Sequence, residues 1–87
     1  MEQAQTRQRV IIYTVAGCPF CKRTKELLTL EGIKYAEKEI NQNERFAEEL
    51  VQLTGHALTP VTLIAGETII GFDKPKLTAA ITKLKQS

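Results

Sequence analysis

The residues best suited to chemistry are the only two cysteines of the chain, Cys18 and Cys21, which are separated by Pro19 and Phe20. A cysteine attacks a disulfide as its thiolate, so a reactive cysteine needs surroundings that favour negative charge. A second thiol three positions later can reach the first sulfur and displace a substrate held there as a mixed disulfide. This spacing predicts thiol–disulfide exchange, with Cys18 as the nucleophile and Cys21 as the resolving thiol.

The segments that flank the two cysteines have the patterns of a strand and a helix. The run 10–15 is apolar and β-branched, which predicts a strand covered on both faces. The run 19–31 opens with a proline, which suits the first turn of a helix, and its apolar residues recur at helical spacing. Cys18 would then lie at a helix N-terminus, where free N–H groups stabilise a thiolate and where Lys22 and Arg23 would add electrostatic support.

The rest of the chain continues to alternate between strands and helices. We expect a half-exposed strand over 33–40, a helix over 44–53, a hairpin with strands over 61–64 and 68–70, and a last helix from Pro75. The order β-α-β-α-β-β-α implies a parallel, right-handed crossover followed by an antiparallel hairpin. The predicted fold is an α/β domain in which three helices flank a four-stranded mixed sheet.

Size, charge and the amino terminus narrow the class of protein. A chain of 87 residues has room for one domain, and we expect a flexible tail over 1–8 and the domain over 9–87. The net charge of +2 comes from interspersed basic and acidic residues, which predicts neither nucleic acid nor a membrane as a partner. The amino terminus lacks an apolar signal core, so we expect a cytoplasmic protein, in a compartment where thiols stay reduced.

Two other uses of the cysteine pair stay open at this point. Tetrahedral zinc needs four ligands, and beyond the two sulfurs the chain offers one histidine, His56, and scattered carboxylates. A zinc site would therefore have to be shared between two chains. Two buried, inert cysteines are also compatible with the spacing. The strand before the pair and the proline inside it favour redox chemistry, and we expect no metal ligands.

Two further segments are candidates for substrate binding. A cis bond between Thr59 and Pro60 would turn the Thr59 backbone toward the cysteines, whereas a trans proline would only begin an edge strand. Gly71, Phe72 and Asp73 lie where the hairpin leads into the last helix. Gly71 permits close backbone approach, Phe72 is either a core residue or an exposed contact, and Asp73 either caps the helix or binds an ammonium group.

Together these residues resemble the glutaredoxin family of the thioredoxin fold. The likeness runs from Val10 to Leu84 and rests on the strand 11–14, the Cys-Pro-Phe-Cys motif with phenylalanine in place of the usual tyrosine, Pro60 and the hairpin. It implies a thioredoxin-like, monomeric thiol–disulfide oxidoreductase that acts on disulfide-bearing proteins. It also implies glutathione as a co-substrate, with no tightly bound cofactor.

The resemblance further implies a substrate groove between the cysteines, the proline loop and the turn at Gly71. Phe20 would flank the bound thiol, and the backbone of Thr59 would pair with the substrate's cysteine. Gly71 and Asp73 would lie near the γ-glutamyl end of glutathione, with Phe72 between them.

Three departures from the family pattern bear on the reductant. Val15 stands where glutaredoxins often carry lysine, Thr59 stands where they commonly carry valine, and Phe72 stands in place of a second glycine. The Gly-Phe pair resembles the NrdH-type redoxins, glutaredoxin-like proteins that thioredoxin reductase reduces. Thioredoxin reductase is therefore an alternative partner. A second alternative is a non-catalytic module in which the two cysteines, with glutathione or another chain, hold an iron–sulfur cluster or zinc.

Overall fold

The computed structural model of the protein describes residues 10–86. The tail predicted over 1–8 and the two end residues of the predicted domain lie outside the described residues. Three helices are present, α1 (Pro19–Leu30), α2 (Glu44–Thr54) and α3 (Lys74–Gln86). Four strands accompany them, β1 (Ile11–Thr14), β2 (Ala36–Glu39), β3 (Val61–Ile64) and β4 (Glu67–Ile70). The predicted order of elements is confirmed.

The four strands form one mixed sheet in the order β2-β1-β3-β4. β1 pairs in parallel with β2, with Ile11 opposite Ala36, and antiparallel with β3, with Ile12 opposite Thr62. β3 and β4 form the predicted antiparallel hairpin. The predicted four-stranded sheet with three helices is therefore confirmed as a thioredoxin-like fold.

The second strand is shorter than the alternation over 33–40 predicts. Its pairing with β1 begins at Ala36, whose N–H donates to the carbonyl oxygen of Val10 at 2.9 Å. Ile33 and Tyr35 are half-buried and pack against the hydrophobic core from the loop that precedes the strand. Burial therefore follows the alternation of apolar and polar residues over 33–35, whereas strand pairing covers only the second half of the segment.

Successive side chains of β1 and β3 point to opposite faces of the sheet, and each face carries its own hydrophobic cluster. The larger cluster lies under α1 and α3 and includes Leu28 of the first helix and Leu77 of the last. The smaller cluster lies under α2 and contains Tyr13, Leu50 and Val61. This layering places α1 across the sheet face, with its N-terminus at the end of β1.

The second helix ends where the chain must turn back toward the cysteines. Its N-cap, Asn43, accepts a hydrogen bond from the Arg45 N–H at 2.9 Å, and its C-cap, Gly55, has a φ of 85°. Glycine adopts this left-handed conformation without steric cost, which satisfies the last carbonyls of the helix. The chain is thereby released toward the loop that contains Pro60.

Thr62 of β3 is a buried residue whose hydroxyl group is unsatisfied. It is fully buried, and its hydroxyl oxygen has no hydrogen-bond partner within residues 10–86. Because valine has nearly the same shape and no hydroxyl to desolvate, Thr62→Val should raise the free energy of unfolding by about 1 kcal/mol in urea denaturation. Thr68→Val changes an exposed threonine on the adjacent strand and should have little effect. A less stable Thr62→Val protein would contradict this prediction.

None of the helices within residues 10–86 has the length and apolar content needed to cross a membrane.

Candidate active site

Cys18 caps the first helix with its own side chain. The turn after β1 brings Cys18 to the N-cap position of α1 with an extended backbone, and Pro19 occupies the first turn. The Cys21 N–H donates a hydrogen bond to Cys18 Sγ at 3.2 Å. A sulfur in this position lies beside free N–H groups and the positive end of the helix dipole, both of which favour its thiolate.

The two thiols have different exposure and opposite pKa shifts. Cys18 is half-buried, whereas Cys21 is only 2% exposed. Burial raises the pKa of Cys18, but hydrogen bonds from Cys21, from the Thr59 hydroxyl and from the Phe20 backbone outweigh it, so the pKa is lowered. Burial and the hydrogen bond with Cys18 raise the pKa of Cys21. These shifts support an accessible nucleophile at Cys18 and a protonated, buried partner at Cys21.

The proline loop lies against the cysteines in the arrangement expected for a substrate groove. The Thr59–Pro60 peptide bond is cis, and the Thr59 hydroxyl lowers the pKa of both thiols. The Gly71 N–H donates to the Pro60 carbonyl oxygen at 2.7 Å, and Gly71 has a φ of 79°. The structure therefore brings together three of the predicted site segments: the dithiol, the proline loop and the Gly71 turn.

Phe20 lies at the outer edge of this arrangement. Its side chain is 53% exposed, and the Arg23 guanidinium carbon lies 5.8 Å from the centroid of its ring. Lys22 and Arg23 are both exposed on α1. Their electrostatic support of Cys18 and the contact of Phe20 with a substrate stay predictions.

Phe72 and Asp73 have structural roles in the turn after the hairpin. Phe72 is half-buried and packs against the larger core cluster. Asp73 caps α3, because its Oδ1 accepts a hydrogen bond from the Lys76 N–H at 3.2 Å. For both residues the structure thus displays the first of the two alternatives that the sequence left open. Any additional contact with a substrate stays a prediction.

Tyr13 and His56 lie outside the arrangement. Tyr13 is buried under α2, and its hydroxyl donates to Glu49 Oε1 at 2.8 Å; burial and this carboxylate raise the pKa of Tyr13 to about 12. His56 is an exposed loop residue whose N–H donates to the Thr54 hydroxyl. Within the described part of the chain, no three histidine, cysteine, aspartate or glutamate side chains are grouped so that they could hold a metal ion.

Sequence reasoning missed the opening on the β2 side of the cysteines. A cavity of about 580 Å³ lies on the β2 side of Cys18 and Cys21, with Lys25 and Glu37 among its lining residues. Lys25 follows Cys21 by four positions, which places the two residues on neighbouring positions of one helix face. That spacing was the available signal, but the partner of Lys25 depends on how β2 pairs with β1.

The strand-to-helix dithiol, the cis-proline loop and the sheet order define a thiol–disulfide oxidoreductase of the thioredoxin fold. The sequence model of the glutaredoxin family matches residues 10–69. This protein belongs to the glutaredoxin family.

Individual relatives agree with this assignment. The chain is 33% identical over 72 residues to an uncharacterised glutaredoxin-like 8.6 kDa protein of a rubredoxin operon in Clostridium pasteurianum, covering 83% of this chain and 96% of that protein. It is 36% identical over 64 residues to glutaredoxin 3 of Escherichia coli K12, covering 74% and 77% of the two chains. A crystal structure of a glutaredoxin from Archaeoglobus fulgidus is similar with a TM-score of 0.78 and 25% identity, over 93% and 95% of the chains.

Proposed function

We propose that this protein reduces protein disulfides and glutathione mixed disulfides through the dithiol of Cys18 and Cys21. The observation that carries the proposal is the 3.2 Å hydrogen bond from the Cys21 N–H to Cys18 Sγ at the start of α1. It stabilises a thiolate at the more exposed sulfur and keeps the second sulfur one helical turn away. The opposite pKa shifts of the two thiols support the same division of roles.

The reaction follows from this arrangement in two exchanges. The Cys18 thiolate attacks one sulfur of the substrate disulfide, forming a mixed disulfide and releasing the other substrate sulfur as a thiolate. Cys21 then loses its proton and attacks Cys18 Sγ, which forms the Cys18–Cys21 disulfide and releases the second substrate sulfur. Two electrons pass to the substrate, and the oxidised protein must be reduced by an external donor before the next cycle.

Glutathione is the proposed donor. The Thr59 hydroxyl is near enough to lower the pKa of both thiols, so the Thr59 backbone can pair with an extended thiol-containing peptide beside the cysteines. Phe20 offers an exposed aromatic face at the edge of the same groove. These features, together with the membership of the glutaredoxin family, support a mixed disulfide between Cys18 and glutathione as the intermediate of re-reduction.

Thioredoxin reductase is the alternative donor, and two observations favour it. The Asp73 carboxylate is engaged as the cap of α3, and Val15 offers no charge at the mouth of the site. Each charge-assisted contact that glutathione lacks would weaken its binding by about 1.5–3 kcal/mol. A protein donor recognises a larger surface and depends less on these two positions.

A side-by-side reductant assay tests the proposal. The oxidised protein is mixed with NADPH and either glutathione plus glutathione reductase or thioredoxin reductase, and NADPH consumption is followed in the presence of a small mixed disulfide. We expect faster turnover with glutathione, and a tenfold preference would correspond to a difference of about 1.4 kcal/mol. Faster turnover with thioredoxin reductase would support the alternative donor. Failure of both systems to reduce the protein would overturn the proposed function.

A further inference from the structure

The cavity on the β2 side of the cysteines has charged walls. Because β2 and β3 flank β1 on opposite sides, the cavity lies across β1 from the strand that carries the proline loop. Both cysteines line it, together with the loop 15–17 and four charged residues, Lys22, Lys25, Glu37 and Glu39. It therefore gives the nearly buried Cys21 a charged neighbourhood on the side of β1 away from the proline loop.

Lys25 is held in place at this cavity by Glu37, which Thr14 holds in turn. Lys25 Nζ lies 3.0 Å from Glu37 Oε2, and the same oxygen accepts a hydrogen bond from the hydroxyl of Thr14 at 2.7 Å. Thr14 is only 1% exposed, so this chain of contacts is anchored in the sheet. Lys25 lies one helical turn after Cys21, which directs the two side chains to the same side of α1.

In the second exchange, a positive charge near Cys21 would stabilise the thiolate that this residue must form. Once Cys18 is part of a mixed disulfide, its sulfur carries no charge and no longer holds the Cys21 proton in a thiol–thiolate pair. Cys21 must then ionise while nearly buried, and burial alone disfavours its thiolate. Of the acidic groups at the cavity, Glu37 is paired with Lys25, and Glu39 accepts hydrogen bonds from backbone N–H groups, including that of Ala16 at 3.1 Å.

We propose that Lys25, held by Glu37 and Thr14, is a positioning residue that stabilises the thiolate of Cys21 in the resolving exchange. The inference rests on the proposed function. The proton of Cys21 leaves to solvent through the open cavity, the thiolate attacks Cys18 Sγ, and the departing substrate thiolate takes up a proton from solvent. The hydrogen bond with Glu37 is the largest cause that raises the pKa of Lys25, and the charge of ionised Cys21 raises it further.

A rapid-mixing experiment with dithiobis(nitrobenzoate), an aromatic disulfide that releases a coloured thiolate, separates the two exchanges. The first release reports the attack by Cys18, and the second, unimolecular release reports the attack by Cys21. In Lys25→Met the second rate constant should fall by about three- to tenfold at neutral pH, because a loss of up to one pKa unit of stabilisation lowers the thiolate fraction in proportion. The first phase should keep its rate, and the pH profile of the second phase should move to higher pH.

Three variants complete the test. Lys25→Arg keeps the charge and should restore most of the second rate. Thr14→Val keeps the charges of Lys25 and Glu37 but removes the hydroxyl that holds Glu37, so the second phase should slow by less than in Lys25→Met. Lys34→Met, which removes an exposed charge from the loop before β2, should leave both phases as in the wild type.

Two results would count against the inference in distinguishable ways. An unchanged second phase and pH profile in Lys25→Met would overturn the role of Lys25 while leaving the dithiol mechanism intact. A wild-type protein that shows only the first phase would overturn the proposed function, and the role of Lys25 with it.

Discussion

A Cys18→Ser variant should lose about a thousandfold or more of the disulfide-reducing turnover, down to the uncatalysed background. The variant retains the groove and the helix N-terminus. It has no nucleophile at the accessible position, because serine does not ionise near neutral pH. The buried Cys21 cannot replace it, because the residue is only 2% exposed and the pKa of its thiol is raised. The measurement is steady-state turnover of a protein disulfide with the reductant that the side-by-side assay identifies.

Cys21→Ser is the matched control, since it makes the same sulfur-to-oxygen change at the other position of the motif. This variant should still attack a disulfide through Cys18 and then stop as a mixed disulfide, which mass spectrometry detects as a covalent adduct with the substrate. Reduction of glutathione adducts should continue, because free glutathione can release the adduct from Cys18. Retained turnover in Cys18→Ser, or an adduct formed on Cys21, would reverse the assigned roles.

The sequence predicts an element of this fold well where buried apolar residues recur at a regular spacing within a few residues. The run 10–15 and the helix that follows it are each defined by apolar spacing within a few residues, and both form as expected. The segment 33–40 shows where such spacing is insufficient. Ile33 and Tyr35 face the core from a loop, and only the register between β1 and β2 determines that pairing begins at Ala36.

The same distinction applies to the candidate site: the sequence predicts contacts between near neighbours but not contacts that depend on tertiary packing. Cys18 and Cys21 are neighbours on one turn, so their spacing alone predicts how they meet. The residues around Pro60 did not by themselves choose between a cis and a trans bond, because that choice depends on the tertiary contacts that hold the loop. The Cys-Pro-Phe-Cys motif favoured the cis bond, which the structure has. The sequence did not pair Lys25 with Glu37, since their contact requires a helix and a strand to pack in one particular register.

Leu28→Ala should destabilise the protein by about 2–5 kcal/mol, because it removes a fully buried side chain and leaves a cavity between α1 and the sheet. Leu28 belongs to the larger core cluster with Ile64 and Leu77, so its loss is felt by the sheet and by both helices on that face. A domain of this size has a total stability of about 5–15 kcal/mol, so the change is a large share of it. Urea denaturation followed by circular dichroism measures the difference.

Leu30→Ala makes the same chemical change two residues later on the same helix. Leu30 is 81% exposed, so its truncation should alter the free energy of unfolding by no more than about 0.5 kcal/mol. Leu28→Met keeps the volume and should cost less than about 1.5 kcal/mol, which retains a folded variant if Leu28→Ala unfolds. Equal losses at positions 28 and 30 would mean that the burial of Leu28 is not what stabilises α1, because alanine has the higher helix propensity at both positions. α1 also carries Cys21 and Lys25. That result would therefore contradict the packing of α1 on which the proposed positioning of both groups depends.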